Sequence, residues 1–257
     1  MEKNQNISAL IEIGEQEFLP TVSVDCVILG FHENQLKVLL LKHRYREMWA
    51  LPGGFIFKHE DAKHAAERVL QERTGLKKIF LQQFHTFGEK ERYSNDFHLE
   101  DFEKDGIEVT ADFWLLQRFI TIGYYALVDF FEVVPSPDRL SETCTWWDVN
   151  ALPEMILDHR KIFDKALHTI QLNLLYQPIG YNLLPEKFTM TELQKLYETI
   201  LGKKLDRRNF QRKMLGYDIL SKLDEVKKGV AHKSPHLYSF NLPKYQKALQ
   251  EGFNNGW

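Results

Sequence analysis

The chain has 257 residues, 44% of them hydrophobic, and a net charge of −3, enough for one large or two modest domains with a buried core. No run approaches the roughly 18 consecutive apolar residues of a membrane-spanning helix, and the acidic start MEKNQNISALIEIGEQEF lacks the apolar stretch of a secretory signal. The two cysteines, Cys26 and Cys144, make neither a disulfide framework nor a metal-ligand spacing, so a reducing cytoplasm is expected.

Residues 1–20 read as an N-terminal extension. Residues 21–31 (TVSVDCVILGF) and 36–42 (LKVLLLK) are rich in β-branched and aliphatic side chains and read as strands, with HENQ as the turn between them. Cys26, in the first of these runs, is expected to be a small core residue. Asp25 stands in the same apolar run. A carboxylate there needs partners, either an internal hydrogen bond or the hydroxyl of a bound ligand.

Residues 53–76 read GGFIFKHEDAKHAAERVLQERTGL. Gly54, Glu60, Arg68, Leu70, Glu72, Gly75 and Leu76 fall at fixed intervals, and the stretch resembles the Nudix box, Gly-x5-Glu-x7-Arg-Glu-U-x-Glu-Glu-x-Gly-U with U aliphatic. The resemblance implies loop, helix and loop, with the helix at 61–73 and Gly75 as its C-terminal cap. It also implies three glutamates that hold Mg²⁺ against a diphosphate. Two are replaced, by Val69 and Arg73. Val69 offers no oxygen ligand, and Mg²⁺ demands oxygens in near-octahedral geometry. Positions 69 and 73 share a helix face. A divalent ion about 5 Å from the Arg73 charge would be repelled by roughly 7 kcal/mol at an effective dielectric near 20. No metal, no cofactor and no catalytic residue is therefore expected. The alternative is an active hydrolase with ligands from Glu60, Glu67 or Glu89.

Further strands are expected at 79–87, 119–131 and 145–149, and a helix at 160–176, where apolar residues recur at helical spacing. Residues 89–117 interrupt this pattern with nine acidic and three basic residues; they are either a lid or a surface excursion. Strands interleaved with helices suit the α/β/α sandwich with a mixed sheet that the resemblance implies, a ligand-sensing domain over 21–176. Residues 177–188, with Pro178, Gly180 and Pro185, read as a linker.

Beyond the linker the charge changes sign. Residues 1–185 hold 19 basic and 28 acidic side chains, whereas 186–257 hold 14 basic and 8 acidic, a hint of a nucleic-acid module. Thr189-Met190-Thr191-Glu192 fits a capping box before a helix that Gly202 ends. Asp206 then caps a second helix, RRNFQRKML, with Phe210 and Met214 facing inward and Arg207, Arg208, Gln211 and Arg212 outward. Such a helix can place arginine and glutamine against base edges in the major groove. Residues 222–226 and 237–240 read as the two strands of a wing, with Lys227, Lys228, His232 and Lys233 at its basic tip. A small winged helix-turn-helix domain over 189–257 is expected.

Box, linker and C-terminal module together resemble the Nudix-related transcriptional regulators. LLPEKFTMTELQKLYETILGKKLDRRNFQRKML and RFITIGYYALV carry the likeness, which spans roughly 22–241. The resemblance implies a homodimer that binds double-stranded operator DNA through Arg207, Arg208, Gln211, Arg212, Lys227, Lys228 and Lys233, and a small effector bound by the Nudix-like domain. Members respond to ADP-ribose or related nucleotides; a subgroup with degenerate boxes responds to pentoses, and the lost carboxylates point to that subgroup. The effector residues expected are Asp25, His59, Glu72, Arg73, Arg118 and Tyr124, each of which could equally be structural. The competing functions are a nucleoside-diphosphate-derivative hydrolase and a non-catalytic module that binds RNA or protein.

Overall fold

The computed structural model describes residues 14, 16–44, 46–77, 79–92, 113–174, 176–178, 180–227 and 234–252. A first compact unit takes in most of the chain up to Ala166. A second takes in the chain from Leu167 onward with the short segments Gly30–Leu36 and Leu127–Phe131. No helix among the described residues is long and apolar enough to cross a membrane.

The first unit is built on a seven-stranded sheet. β1 (Phe18–His32), β2 (Gln35–His43), β3 (Trp49–Ala50), β5 (Leu81–Phe87) and β6 (Ile120–Val128) run in the order β3-β2-β1-β6-β5. β4 (Gly53–Phe57) pairs antiparallel with β1, and β7 (Ser141–Asp148) pairs antiparallel with β2. Residues 24–30 of β1 are all buried, as expected of a strand covered on both faces. The β1–β2 turn places Glu33 and Asn34 at φ +49° and +61°, the left-handed pair that suits the twist of a two-residue hairpin.

Two helices cover the sheet. α1 (Ala62–Thr74) begins at Asp61, whose side chain accepts the His64 N–H, and ends at Gly75, whose φ of +74° sends its own N–H back to the Gln71 carbonyl. α2 (His159–Asn173) buries Ile162, Phe163, Ala166 and Ile170. The alternation of β1 assigns its faces. The Cys26 thiol lies 3.9 Å from the Ala66 carbonyl of α1, whereas Asp25 faces the start of α2, with His159 Nε2 3.9 Å away.

In the second unit, α3 (Met190–Leu201) begins with the full capping box of Thr189 and Glu192 and ends at Gly202, φ +65°. α4 (Arg207–Gly216) is capped by Asp206 and buries Phe210 and Met214. A three-stranded sheet, β8 (Phe188–Thr189), β10 (His236–Phe240) and β9 (Leu220–Val226), completes the winged helix. α5 (Leu242–Glu251) follows, capped by Asn241. The stretch expected to be a linker thus contributes a 3-10 turn, Tyr181–Leu183, and the start of β8.

Candidate functional site

The box is braced by Arg68. Its guanidinium donates to both Glu60 carboxylate oxygens at 2.6 and 3.2 Å and to the Phe55 carbonyl at 2.8 Å. It also lies 4.6 Å from the centroid of the Phe57 ring. Burial alone would raise the Glu60 carboxyl, but hydrogen bonds from Arg68 and from the Phe57 N–H hold it below the usual glutamate range. The brace is intact at neutral pH and is lost as pH falls through that lowered value. Glu60 and Arg68 therefore shape the loop.

The residues at the implied Mg²⁺ site do not fit the ion. Val69 is 1% exposed and packs so closely on Gly54 that a Cβ there would come within 2.7 Å of a valine methyl. Arg73 donates to the Ser136 carbonyl at 3.2 Å and to Glu72 at 2.9 Å. The Val134 and Ser136 N–H groups donate in turn to the Thr74 and Arg73 carbonyls. Arg73 thus clamps the end of α1 to residues 134–136. Glu72, the retained carboxylate, is held between Arg73 and Arg68. Among the described residues no three His, Cys, Asp or Glu side chains are grouped as metal ligands.

The expected effector residues fall in separate places. Glu72 and Arg73 sit at the end of α1. His59 is exposed and stacks on Phe57 at 5.2 Å. Tyr124 is buried on the α1 face of the sheet, where burial first, then the neighbouring Cys26, Asp61 and Glu67, raise its hydroxyl pKa. Arg118 lies exposed in the coil before β6, because pairing with β5 starts only after Phe119.

Asp25 is the centre of a buried cluster that sequence reasoning missed. Arg92 Nη2 donates to Asp25 at 3.2 Å, Arg92 Nε to both Asp158 oxygens at 2.9 and 2.8 Å, and Arg92 Nη1 to the Phe119 carbonyl at 3.0 Å. His159 Nδ1 accepts the Leu51 N–H at 2.8 Å, so its proton sits on Nε2, the nitrogen facing Asp25. Asp25, Arg92 and His159 are each under 9% exposed. Gly53 pairs with Asp25 across the β1–β4 ladder, and a Cβ there would stand 2.5 Å from the carboxylate. Most of residues 89–117 lies outside the described residues; Lys90–Arg92 and Trp114–Leu116 form 3-10 turns. Both cysteines are buried, and burial pushes the Cys144 thiol up to about 12; neither is a poised nucleophile.

The second unit presents α4. Arg207, Arg208, Asn209, Arg212 and Lys213 are exposed, and Gln211 is half-buried. Asn209 accepts from Arg212 at 3.0 Å. Lys227, expected on phosphate, is paired with Glu192 at 2.5 Å in this structure. Lys228 and Lys233 lie outside the described residues.

Comparison with known proteins matches residues 19–166 to the NUDIX domain and residues 180–240 to the NrtR DNA-binding winged helix domain. The ADPR responsive transcriptional repressor NtrR of Acinetobacter baylyi is 28% identical over 234 residues, covering 88% of this chain and 84% of that protein. A crystal structure of Shewanella oneidensis NrtR complexed with a 27mer DNA aligns with a TM-score of 0.69 and 24% identity over 91% of this chain and 98% of its own. A second crystal structure of that NrtR has the same score and coverage at 25% identity. A MutT/nudix family protein from Enterococcus faecalis aligns at 0.63 and 22% identity, over 93% of this chain and 97% of its own. The fold is therefore a mixed α/β Nudix domain followed by a winged helix. The expectation of the pentose-sensing subgroup finds no support in these relatives.

Proposed function

From the premise that this chain belongs to the NUDIX family, we propose that it is a ligand-responsive, DNA-binding transcriptional regulator. Its Nudix domain senses ADP-ribose or a related nucleotide rather than cleaving it. The observation that carries this reading is the exposed arginine face of α4 on a winged helix, in one chain with a box whose metal positions hold Val69 and Arg73. The Acinetobacter relative supports ADP-ribose over a pentose as effector. Replacing metal carboxylates removes the chemistry of cleavage, not the recognition of a nucleotide, so it does not by itself favour a sugar.

The effector is tested by thermal unfolding of the full chain with ADP-ribose, ADP, arabinose and xylose. A ligand bound only by the native state at a hundredfold excess over its Kd stabilises by about 2.7 kcal/mol. ADP-ribose is expected to raise the melting temperature by several degrees and the pentoses not to. A shift with a pentose alone would reverse the assignment.

For DNA, Arg207, Arg208, Gln211 and Arg212 read base edges, and Lys227, Lys228 and Lys233 approach flanking phosphates, Lys227 after leaving Glu192. The protein acts on DNA in the cytoplasm as a two-fold dimer, with half-sites about one or two helical turns apart. Arg208→Ala is expected to cost roughly 1–3 kcal/mol and to relax preference at one base position. Lys228→Ala should weaken all sequences alike and lower the salt slope by about one. Salt titrations on specific and random duplexes separate the two; wild-type behaviour in both variants would mean that another surface holds the DNA.

A further inference from the structure

Phe210 and Met214 set the inner side of α4, since both are buried. At about 100° per residue, the direction opposite them is that of Arg212, with Arg208 roughly 40° to one side and Asn209 roughly 60° to the other. Gln211 and Lys213 lie roughly 100° away, on the two flanks. Exposure agrees. Asn209 is exposed and Gln211 half-buried, and Lys213 leans to Tyr217, 5.7 Å from its ring centroid. In its first two turns α4 therefore presents Arg208, Asn209 and Arg212.

Asparagine is a weak helix former that favours caps, yet Asp206 already caps α4 by accepting the Asn209 N–H at 2.9 Å. The Asn209 side chain instead accepts from Arg212 Nη2 at 3.0 Å. A guanidinium only donates, so the amide oxygen faces it and the Nδ2 group faces away. Oδ1 keeps its second lone pair and Nδ2 its two N–H donors, none of them bonded to a described residue. Arg212 keeps the rest of its five-donor fork. In the major groove adenine offers the acceptor N7 and the donor N6, and guanine the two acceptors N7 and O6. The amide matches the first and the guanidinium the second. Side chains three residues apart on a helix stand about 5–6 Å apart at Cβ, and successive bases about 3.4 Å along the duplex, so the pair spans neighbouring bases.

We propose that Asn209 reads an adenine, with Nδ2 donating to N7 and Oδ1 accepting from N6, beside a guanine read by Arg212. The hydrogen bond between the two side chains sets their spacing before DNA arrives, so less rotamer freedom is lost on binding. Each half-site then carries an adenine adjoining a guanine. This inference rests on the DNA-binding reading above and gives it a base identity.

The test uses the full chain and the best duplex from a randomised pool, with binding followed by fluorescence anisotropy at fixed salt. Each adenine of the half-site is replaced in turn by 7-deaza-adenine, in which a C–H stands in place of N7. One position is expected to weaken wild-type binding about tenfold, the worth of a bidentate base contact. Asn209→Ala should bind the unmodified duplex about tenfold more weakly, ignore 7-deaza-adenine at that position and accept any base there, with its affinity for random duplex unchanged. Asn209→Asp keeps an acceptor for Arg212 and suits the first turn of a helix, but has no N–H for N7, so it should lose the same adenine. Arg212→Ala should lose the preference for the adjoining guanine. An Asn209→Ala protein that keeps the 7-deaza response, or that weakens selected and random duplexes alike, overturns the adenine assignment and leaves the DNA-binding reading standing. Wild-type affinity and adenine preference in Asn209→Asp would do the same, since Asn209 would then act only through Arg212. A wild type that prefers no duplex overturns both.

Discussion

Incubated with ADP-ribose and Mg²⁺ or Mn²⁺, the protein is expected to release no AMP above the uncatalysed background, read by chromatography over hours. Ordinary enzymes turn over at roughly 1–10³ s⁻¹, on accelerations of 10⁶ and more, so the gap between sensor and hydrolase is many orders of magnitude. Val69 gives the ion no oxygen and is sealed against Gly54. The Arg73 cation stands where a carboxylate is needed and neutralises Glu72 at 2.9 Å. The double variant Val69→Glu, Arg73→Glu is expected to gain measurable Mn²⁺ binding and to lose stability, because the Arg73 guanidinium's bond to the Ser136 carbonyl is lost and a carboxylate enters the buried Val69 position. Wild-type turnover near 1 s⁻¹ on any nucleoside diphosphate derivative would contradict this.

Arg92→Ala is expected to destabilise the protein by about 3–5 kcal/mol, read by urea unfolding. Removing one partner of a buried ion pair strands the other without compensation, and here one guanidinium serves two carboxylates. Its contacts with Asp25, Asp158 and the Phe119 carbonyl join β1, the start of α2 and the approach to β6. A whole domain is stable by only about 5–15 kcal/mol, so much of the chain should unfold at 37 °C. The double variant Arg92→Met, Asp158→Leu should recover part of the loss, since an apolar replacement of both partners removes the stranded charge. A cost below about 1 kcal/mol for Arg92→Ala would mean that the cluster is wet and carries no load.

Where the sequence signal was local, the structure agrees with it. The box helix starts at Asp61 and stops at Gly75 because a side-chain cap and a left-handed glycine act within a few residues. The capping box of α3 and the Asp206 cap of α4 were legible for the same reason. Short strands were not. β3 has two residues, too few to show alternation, and β4 hides behind the Gly53-Gly54 pair, which reads as a turn until β1 supplies its ladder. α5 was missed although Asn241 before Leu242-Pro243 was a usable N-terminal signal. Asp25 was visible as a carboxylate in an apolar strand. Arg92, Asp158 and His159 were not, because they lie 67 or more residues away and share no spacing with it; only the closed sheet and the start of α2 bring them to one place. Arg73 was read as lining an old metal site, and its tie to Ser136 depends on a loop more than 60 residues on.

The claim that a nucleotide-sensing Nudix domain governs a DNA-reading winged helix is tested most directly by one binding measurement. The full chain selects duplexes from a randomised pool. Its affinity for the selected duplex and for a random duplex is then measured by fluorescence anisotropy at fixed salt, with and without saturating ADP-ribose. The expected result is a preference of roughly 10³-fold or more for the selected duplex, and a change of roughly 5- to 150-fold in that affinity when ADP-ribose is added. Equal affinity for both duplexes, unchanged by ADP-ribose, would contradict it.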